Sequence, residues 1–250
     1  KKIIKLKVQN VYAILHLAAQ SSGPKSFFIP REDIDKNIIG TLNIINFCSK
    51  NKIKRILFAS SFVVYGSQKK NRFNEEMDIR PSSVYAMSKS YCELLLKNYA
   101  QNKGIKWNIL RMFNVYGPGQ DPKNPNLGMV SIFLNMAKNS SEIKVKGSLK
   151  RFRDFIFIND VVSALTLNFK KSGIYNVGFG KPYKVIDVLK ILFKLTNNNF
   201  SRKKIKFLTK HSGDPWGNFA NISKIKKAGW TPKFNLISGA KETLKSILIK

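Results

Sequence analysis

Short apolar runs at Val11–Ala19, Arg55–Ser61 and Lys106–Phe113 recur through the first half of the chain, with helically spaced segments such as Gly40–Cys48 between them. Runs of this length, bounded by polar and turn residues, read as strands hidden on both faces. Strands that alternate with helices pair in parallel and are covered on both sides, which makes the fold class α/β with a doubly wound parallel sheet. In such sheets ligands gather beyond the carboxyl ends of the strands. Ala18-Ala19, Ser60-Ser61 and Phe113-Asn114 fall at such ends. The pattern therefore predicts that these loci converge in space although they are distant in sequence.

Past Tyr116-Gly117-Pro118-Gly119 the character changes. Residues 120–128 form a Pro/Asn/Gly loop that marks a crossing into a second, smaller α/β subdomain. Residues 1–117 are read as the first domain and 118–250 as the second, with 153–178 returning to the core sheet. The spacing predicts a helix over 130–137, strands over 143–145, 155–158 and 174–177, a helix from Asp160 to about Asn168, and a helix over 184–195. One more strand, 205–208, and short helices near Ser223 and Ser238 follow.

The 45 basic residues outnumber 14 acidic ones, a net charge of +31. Most are lysines spread along the whole chain, and none form the aromatic-interleaved stripe that stacks bases. A generally basic, solvated surface is expected, with no nucleic-acid partner, although its field attracts phosphate-bearing ligands. No apolar run approaches the ~18 residues of a membrane span, and no signal-peptide cleavage site is visible. Cys48 and Cys92 both lie in helix-like segments and read as buried small hydrophobes of a reducing cytoplasm. The chain begins at Lys1 rather than Met, which reads as a fragment or a processed product.

Tyr85 and Lys89 are one helical turn apart and share a face. An ammonium beside a phenol favours the phenolate, lowers its pKa from about 10 and fits it to take a proton from a substrate hydroxyl.

With His16-Leu17-Ala18-Ala19-Gln20, Asn37-Ile38-Ile39-Gly40-Thr41, Ser60-Ser61-Phe62-Val63-Val64-Tyr65-Gly66, Tyr85-Ala86-Met87-Ser88-Lys89, the run Leu110 to Gly119, Arg153-Asp154-Phe155-Ile156 and Gly213-Asp214, the chain resembles the extended short-chain dehydrogenase/reductases. It is most similar to their UDP-glucose 4-epimerase-like branch. The resemblance implies a Rossmann-like domain, NAD as cofactor and a UDP-sugar as substrate. It implies Tyr85 as base, Lys89 as holder of the nicotinamide ribose and Ser61 as the hydroxyl bridging Tyr85 to the substrate. Ala18, Ala19, Gln20, Asn37, Ser60 and Phe113 would line the cofactor. Asn114, Gly128, Met129, Arg153 and Asp214 would meet the substrate, Arg153 through its diphosphate. Asn37 also reads as a helix-start residue, and His16 as a hydrogen-bonded residue on a buried strand. The resemblance further implies that the full-length protein is a homodimer paired through the helix that carries Tyr85 and its neighbour, and a cytoplasmic localisation is expected.

Departures sharpen the reading. Phe62 and Val63 follow Ser61 where similar dehydratases carry proton donors, which favours epimerisation or plain redox over dehydration. Asn159 and Asn221 replace aspartates, His211 stands near the place of a phosphate-binding arginine, and Asn218 takes the place of a residue that limits sugar size. The glycine-rich turn that cradles a cofactor pyrophosphate is absent, as are about 60 residues of the opening strand–turn–helix pattern. The chain alone is therefore expected to bind NAD poorly and not to turn over. A reductase of the same family and a non-catalytic basic remnant are the rival readings.

Overall fold

The computed structural model describes residues 8–120, 128–139, 142–201, 204–208 and 216–248. From the amino end come β1 (Ile14–His16), α1 (Gly23–Phe28), α2 (Pro30–Asp33), a π-helical stretch over Ile34–Ile39, α3 (Gly40–Lys50), β2 (Arg55–Ser61), one helical turn over Phe62–Tyr65, and β3 (Arg72–Phe73). Next are α4 (Val84–Leu94), which runs into a second π-helical stretch over Leu95–Ala100, then β4 (Lys106–Met112), β5 (Asn114–Tyr116), α5 (Met129–Asn139), β6 (Ile143–Lys146), β7 (Phe152–Phe157) and α6 (Ile158–Leu165). The rest comprises β8 (Gly173–Val177), β9 (Pro182–Lys184), α7 (Val185–Leu195), β10 (Ile205–Leu208), β11 (Gly217–Ala220), α8 (Ser223–Lys227) and α9 (Leu236–Leu248). None of the described helices is long and apolar enough to cross a membrane.

These elements divide between two compact units. The first holds the described residues up to Lys69, Glu75–Met112 and Leu165–Asn176. Its sheet runs β1-β2-β4-β8, with β1 and β4 both parallel to β2. Parallel neighbours need crossover connections, and the helical segments between these strands supply them. Ile45, Cys48, Ile56, Phe58, Cys92, Leu96 and Ile109 pack into one apolar cluster. Both cysteines are free and buried, as the sequence predicts. β1 is shorter than its apolar run. Ile14 packs on the cluster, while Leu15, on a strand that pairs only with β2 among the described residues, and Leu17 just past it stand 44% and 52% exposed.

Gly66 ends the turn after β2 with φ at +59° and ψ at −143°, a region reserved for glycine. A Cβ there would lie 1.6 Å from the Arg80 carbonyl oxygen. Arg80 cannot retreat freely, because its N–H donates to Val64 O at 3.1 Å. Gly66→Ala is expected to lower stability by roughly 1–3 kcal/mol from backbone strain, with the clash adding to it. Urea unfolding measures this; an unchanged midpoint would show that the turn is built differently.

The second unit holds Lys70–Asn74, Phe113–Ala164 and the described residues from Val177 onward. Its larger sheet runs β3-β11-β7-β5, all parallel, with β9 antiparallel on β7, and β6 pairs separately with β10. Tyr116, Phe133, Leu134, Phe155, Phe157, Val188 and Leu192 form its core. The Asp154 carboxylate ties this unit together by accepting from the N–H groups of Phe179, Gly180 and Ala220 at 2.8–2.9 Å.

The division differs from the one expected at residue 118. The crossing comes after Met112, and only residues 165–176 return to the first unit. The physical reason is β7, whose partners β5, β9 and β11 all lie in the second unit.

Candidate active site

Ser83 starts the central helix of the site. Its extended backbone and its side chain, which accepts from Ala86 N at 3.1 Å, cap α4. Tyr85 therefore enters in the first turn, and Lys89 and Glu93 follow at intervals of four on the same face. All three are buried. The face lies along the end of β2, where consecutive residues each meet one member of the stripe. Lys89 Nζ donates to Ala59 O at 2.7 Å, Ser60 Oγ donates to Glu93 Oε1 at 2.6 Å, and the Ser61 hydroxyl, next along β2, acts on the Tyr85 phenol and pulls it down. The expected Ser61, Tyr85 and Lys89 set is thus assembled within the first unit.

Glu93 carries a further load. It forms a bidentate pair with Arg111 of β4 at 3.0 and 2.7 Å, and both side chains are only 1% exposed. The guanidinium carbon of Arg111 lies 4.6 Å over the Tyr65 ring. The sequence reading missed Glu93, although its position one turn beyond Lys89 was a usable signal.

A second network supports the end of β1. Asn37 clamps the main chain of Gln20: its Oδ1 accepts from Gln20 N at 2.8 Å and its Nδ2 donates to Gln20 O at 3.1 Å. Nδ2 also lies 2.8 Å from Ser88 Oγ, and Ser88 donates to the Tyr85 carbonyl at 2.9 Å. Asn37 lies inside the π-helical stretch and does not start a helix. Asp33, wholly buried, accepts from Gln20 Nε2 at 2.9 Å and from Asn37 Nδ2 at 3.2 Å. No sequence signal marked Asp33, because its partners come from other elements. Above this clamp Ala18 is exposed and Ala19 half-buried, so little side-chain bulk blocks approach to the backbone. His16 is buried with Nε2 2.9 Å from Thr41 Oγ1, and burial, aided by Lys89, lowers it to about 4. It is a hydrogen-bonded core residue, in line with the sequence reading.

The electrostatics correct one expectation. Burial pushes the Tyr85 phenol up to about 12, with Ser61 opposing and Asp33 adding to the rise. The anticipated lowering by Lys89 does not appear, because the amine is turned to the Ala59 carbonyl and lies 4.6 Å over the Phe58 ring. Lys89 itself is lowered from 10.5 to about 8 by burial, against the pull of Cys92, Glu93 and Asp33. Between those two values the unfolded chain holds the Lys89 proton and the folded chain has released it. The Lys89 contribution to stability therefore rises with pH across the window from about 8 to 10.5. The stability difference between wild type and Lys89→Met, measured in denaturant at pH 7.5 and at pH 10, is expected to shift in favour of wild type at the higher value. A difference independent of pH would contradict it.

The second unit carries the other named residues. Phe113 is buried with its ring 6.4 Å from that of Phe73. Asn114 Nδ2 donates to Asp154 O at 2.8 Å. Gly128 and Met129, at the start of α5, are half-buried. Arg153 is buried and donates to the carbonyls of Phe152 and Trp216 at 2.8 and 3.3 Å; burial, then Arg151, lowers it to about 10. Asn218 stands opposite Arg153 in the β11–β7 register, 1% exposed, with neither side-chain amide atom hydrogen-bonded. Asn221 Oδ1 accepts from Ser223 N at 3.1 Å. His211 and Asp214 lie outside the described residues. No cluster of three or more His, Cys, Asp or Glu among the described residues suits a metal.

Residues 2–178 match the model of the NAD dependent epimerase/dehydratase family. The UDP-glucuronate 4-epimerase of Thermodesulfobacterium geofontis is 30% identical over 240 residues, 94% of this chain and 72% of that protein. Two solved structures are similar throughout. The UDP-N-acetylglucosamine 4-epimerase of Methanobrevibacter ruminantium, in complex with UDP-N-acetylmuramic acid, aligns with a TM-score of 0.92 and 28% identity, over 100% of this chain and 82% of that one. The UDP-glucose 4-epimerase of Thermotoga maritima, with UDP-glucose, aligns with a TM-score of 0.89 and 30% identity, over 95% and 77%. The small residues after β1, the buried Tyr85 and Lys89 and the half-buried Ser61 fit the nicotinamide-ribose half of such a cofactor. The chain belongs to the NAD-dependent epimerase/dehydratase family, with its Rossmann-like α/β fold and NAD as cofactor.

Proposed function

We propose that this chain is the larger part of an epimerase that inverts C4 of a UDP-hexose. The observation that carries the reading is the alignment on facing elements of Ser61, at the end of β2, with the buried Tyr85 and Lys89 of α4, whose amine reaches the Ala59 carbonyl of β2 at 2.7 Å. The chemistry that bound NAD would supply is reversible hydride acceptance, with return to the opposite face of the oxidised C4 giving the inversion. Tyr85 takes the proton of the sugar hydroxyl and gives it back, and Ser61 holds that oxygen in line with the phenol. At about 12 the phenol is protonated at neutral pH, so its base form needs a nearby cation. Lys89, one turn away, supplies it once its amine leaves the Ala59 carbonyl, and it holds the nicotinamide ribose. Ala18, Ala19, Gln20, Asn37, Ser60 and Phe113 line the cofactor in this reading.

Arg153 binds the diphosphate through its planar fork. Asn114, Gly128, Met129 and Asp214 contact the nucleotide sugar. The unpartnered Asn218 amide is small and polar, which suits a sugar with an N-acetyl group as well as a plain hexose. Phe62 and Val63 offer no proton to a leaving hydroxyl, and this disfavours dehydration. Met87, Tyr91 and Leu94 each stand at least 50% exposed along one face of α4, an apolar stripe that fits a second copy of the chain in a homodimer. Sedimentation would report that dimer.

The test is equilibration of UDP-glucose with UDP-galactose, or of their N-acetyl forms, by the full-length protein in the presence of NAD. Interconversion without net NADH supports epimerisation, whereas stoichiometric NADH assigns a dehydrogenase of the same family. Absence of any turnover or binding with all these sugars removes the proposal.

A further inference from the structure

At the opposite end of the first unit's sheet, where β2 and β4 begin, lies a cavity of about 240 Å³ lined by Tyr12, Lys54, Arg55, Gly104 and Lys106. Arg55 is 7% exposed, and its hydrogen bond goes to a neutral group, Asn108 Oδ1 at 2.6 Å. Asn108 is itself held, because its Nδ2 donates to Lys171 O at 2.9 Å. The guanidinium is thereby anchored at one corner. Arg55 and Lys106 are direct partners in the parallel register, so their side chains leave the sheet on the same face. Lys106 N donates to Lys54 O at 2.8 Å and fixes the third cation beside them.

No carboxylate among the described residues forms an ion pair with Lys54, Arg55 or Lys106. Burial, then Glu75, raises the Tyr175 phenol, and Arg55 opposes that rise. Like charges on facing strand positions repel. A buried charge without a counter-charge is costly. Elsewhere in this unit the buried arginine is neutralised: Arg111 has Glu93. Arg55 has only an amide, so the arrangement is completed by an anion from outside the chain.

We propose that this cavity is a binding site for a small phosphate-bearing anion, separate from the residues of the candidate active site. The free edge of the Arg55 guanidinium takes two phosphoryl oxygens and the flanking ammonium groups neutralise the rest. At ~30 Å³ per water the volume exceeds what one inorganic phosphate needs, so a pyrophosphate or a phosphorylated small molecule fits better. The site rests on geometry at the amino ends of the strands and does not depend on the catalytic reading.

Calorimetric titration of pyrophosphate and of glucose 1-phosphate into the wild-type chain, Arg55→Gln, Lys106→Ala and Arg153→Gln tests it. Arg55→Gln is expected to weaken binding roughly 10- to 100-fold, the weight of a charge-assisted hydrogen-bond pair. Lys106→Ala, a change at an exposed side chain that leaves the fold intact, weakens it by up to about 5-fold. Arg153→Gln keeps a binding event of wild-type affinity. Preference for the sugar phosphate assigns an organic ligand, and preference for pyrophosphate an inorganic one. The proposal is overturned if the wild type binds neither probe, if Arg55→Gln and Lys106→Ala both bind as wild type does, or if Arg153→Gln abolishes all binding.

Discussion

Tyr85→Phe in the full-length protein is expected to lower kcat for interconversion of the UDP-sugars by about 10²- to 10⁴-fold, the usual weight of a positioned proton-transfer group. The change deletes one oxygen and keeps the ring. Tyr85 is 9% exposed, so the ring carries the packing of α4 on β2 and the variant should fold. Phe cannot accept a proton, and the oxygen on which the Ser61 hydroxyl acts is gone. The diphosphate contacts assigned to Arg153 are untouched, so KM should move only a few-fold while kcat and kcat/KM fall together, the pattern of an interaction made in the transition state. A variant that retains turnover within tenfold of wild type, with unchanged circular dichroism, would refute Tyr85 as the base.

Removing Glu93 should have the largest structural effect of any single change in the first unit. Glu93→Ala strands the Arg111 guanidinium in a site that is 1% exposed, where Nη1 already lacks a hydrogen-bond partner and the Tyr65 ring lies against the cation. Breaking one side of a buried ion pair costs about 3–5 kcal/mol. At ~2–4 °C per kcal/mol for a chain of this size, the unfolding midpoint should drop by about 6–20 °C. Removing both charges is far less harmful than removing one, so Glu93→Leu with Arg111→Met should recover much of the loss. Calorimetry on the single and double variants reads both effects. A single variant that melts within 2 °C of wild type, by the same ~2–4 °C scale, would show that the pair contributes little. The consequence reaches the active site, because Ser60 Oγ donates to the same carboxylate and Ser61 follows it in β2.

Much of the first unit was legible in the residue order. Arg55–Ser61 is β2 to the residue, Lys106–Phe113 is β4 plus one position, and Ser83 capping α4 places Tyr85 and Lys89 on one face. These features are local. A parallel strand buried on both faces is a continuous apolar run, and a helix aligns positions four apart whatever surrounds it. Their spacing is sufficient evidence.

The rest depended on partners remote in the chain. β3, two residues inside a polar loop, exists because β11 pairs with it from about 150 residues away in sequence, and no local propensity marks it. β7 was placed with the wrong neighbours for the same reason. Asn37 became a clamp, not a helix start, because Gln20 and Ser88 were folded against it.

The amino-acid order by itself determined the α/β class, the end of β2 at Ser61, and the shared face of phenol and amine along α4. Only the tertiary structure decided how tightly that phenol holds its proton, which carboxylate anchors the stripe and where Arg55 is left with an amide in place of a counter-charge. Periodicity specifies direction along one element, whereas proton affinity and charge balance depend on the solvent excluded and the groups delivered by every other element.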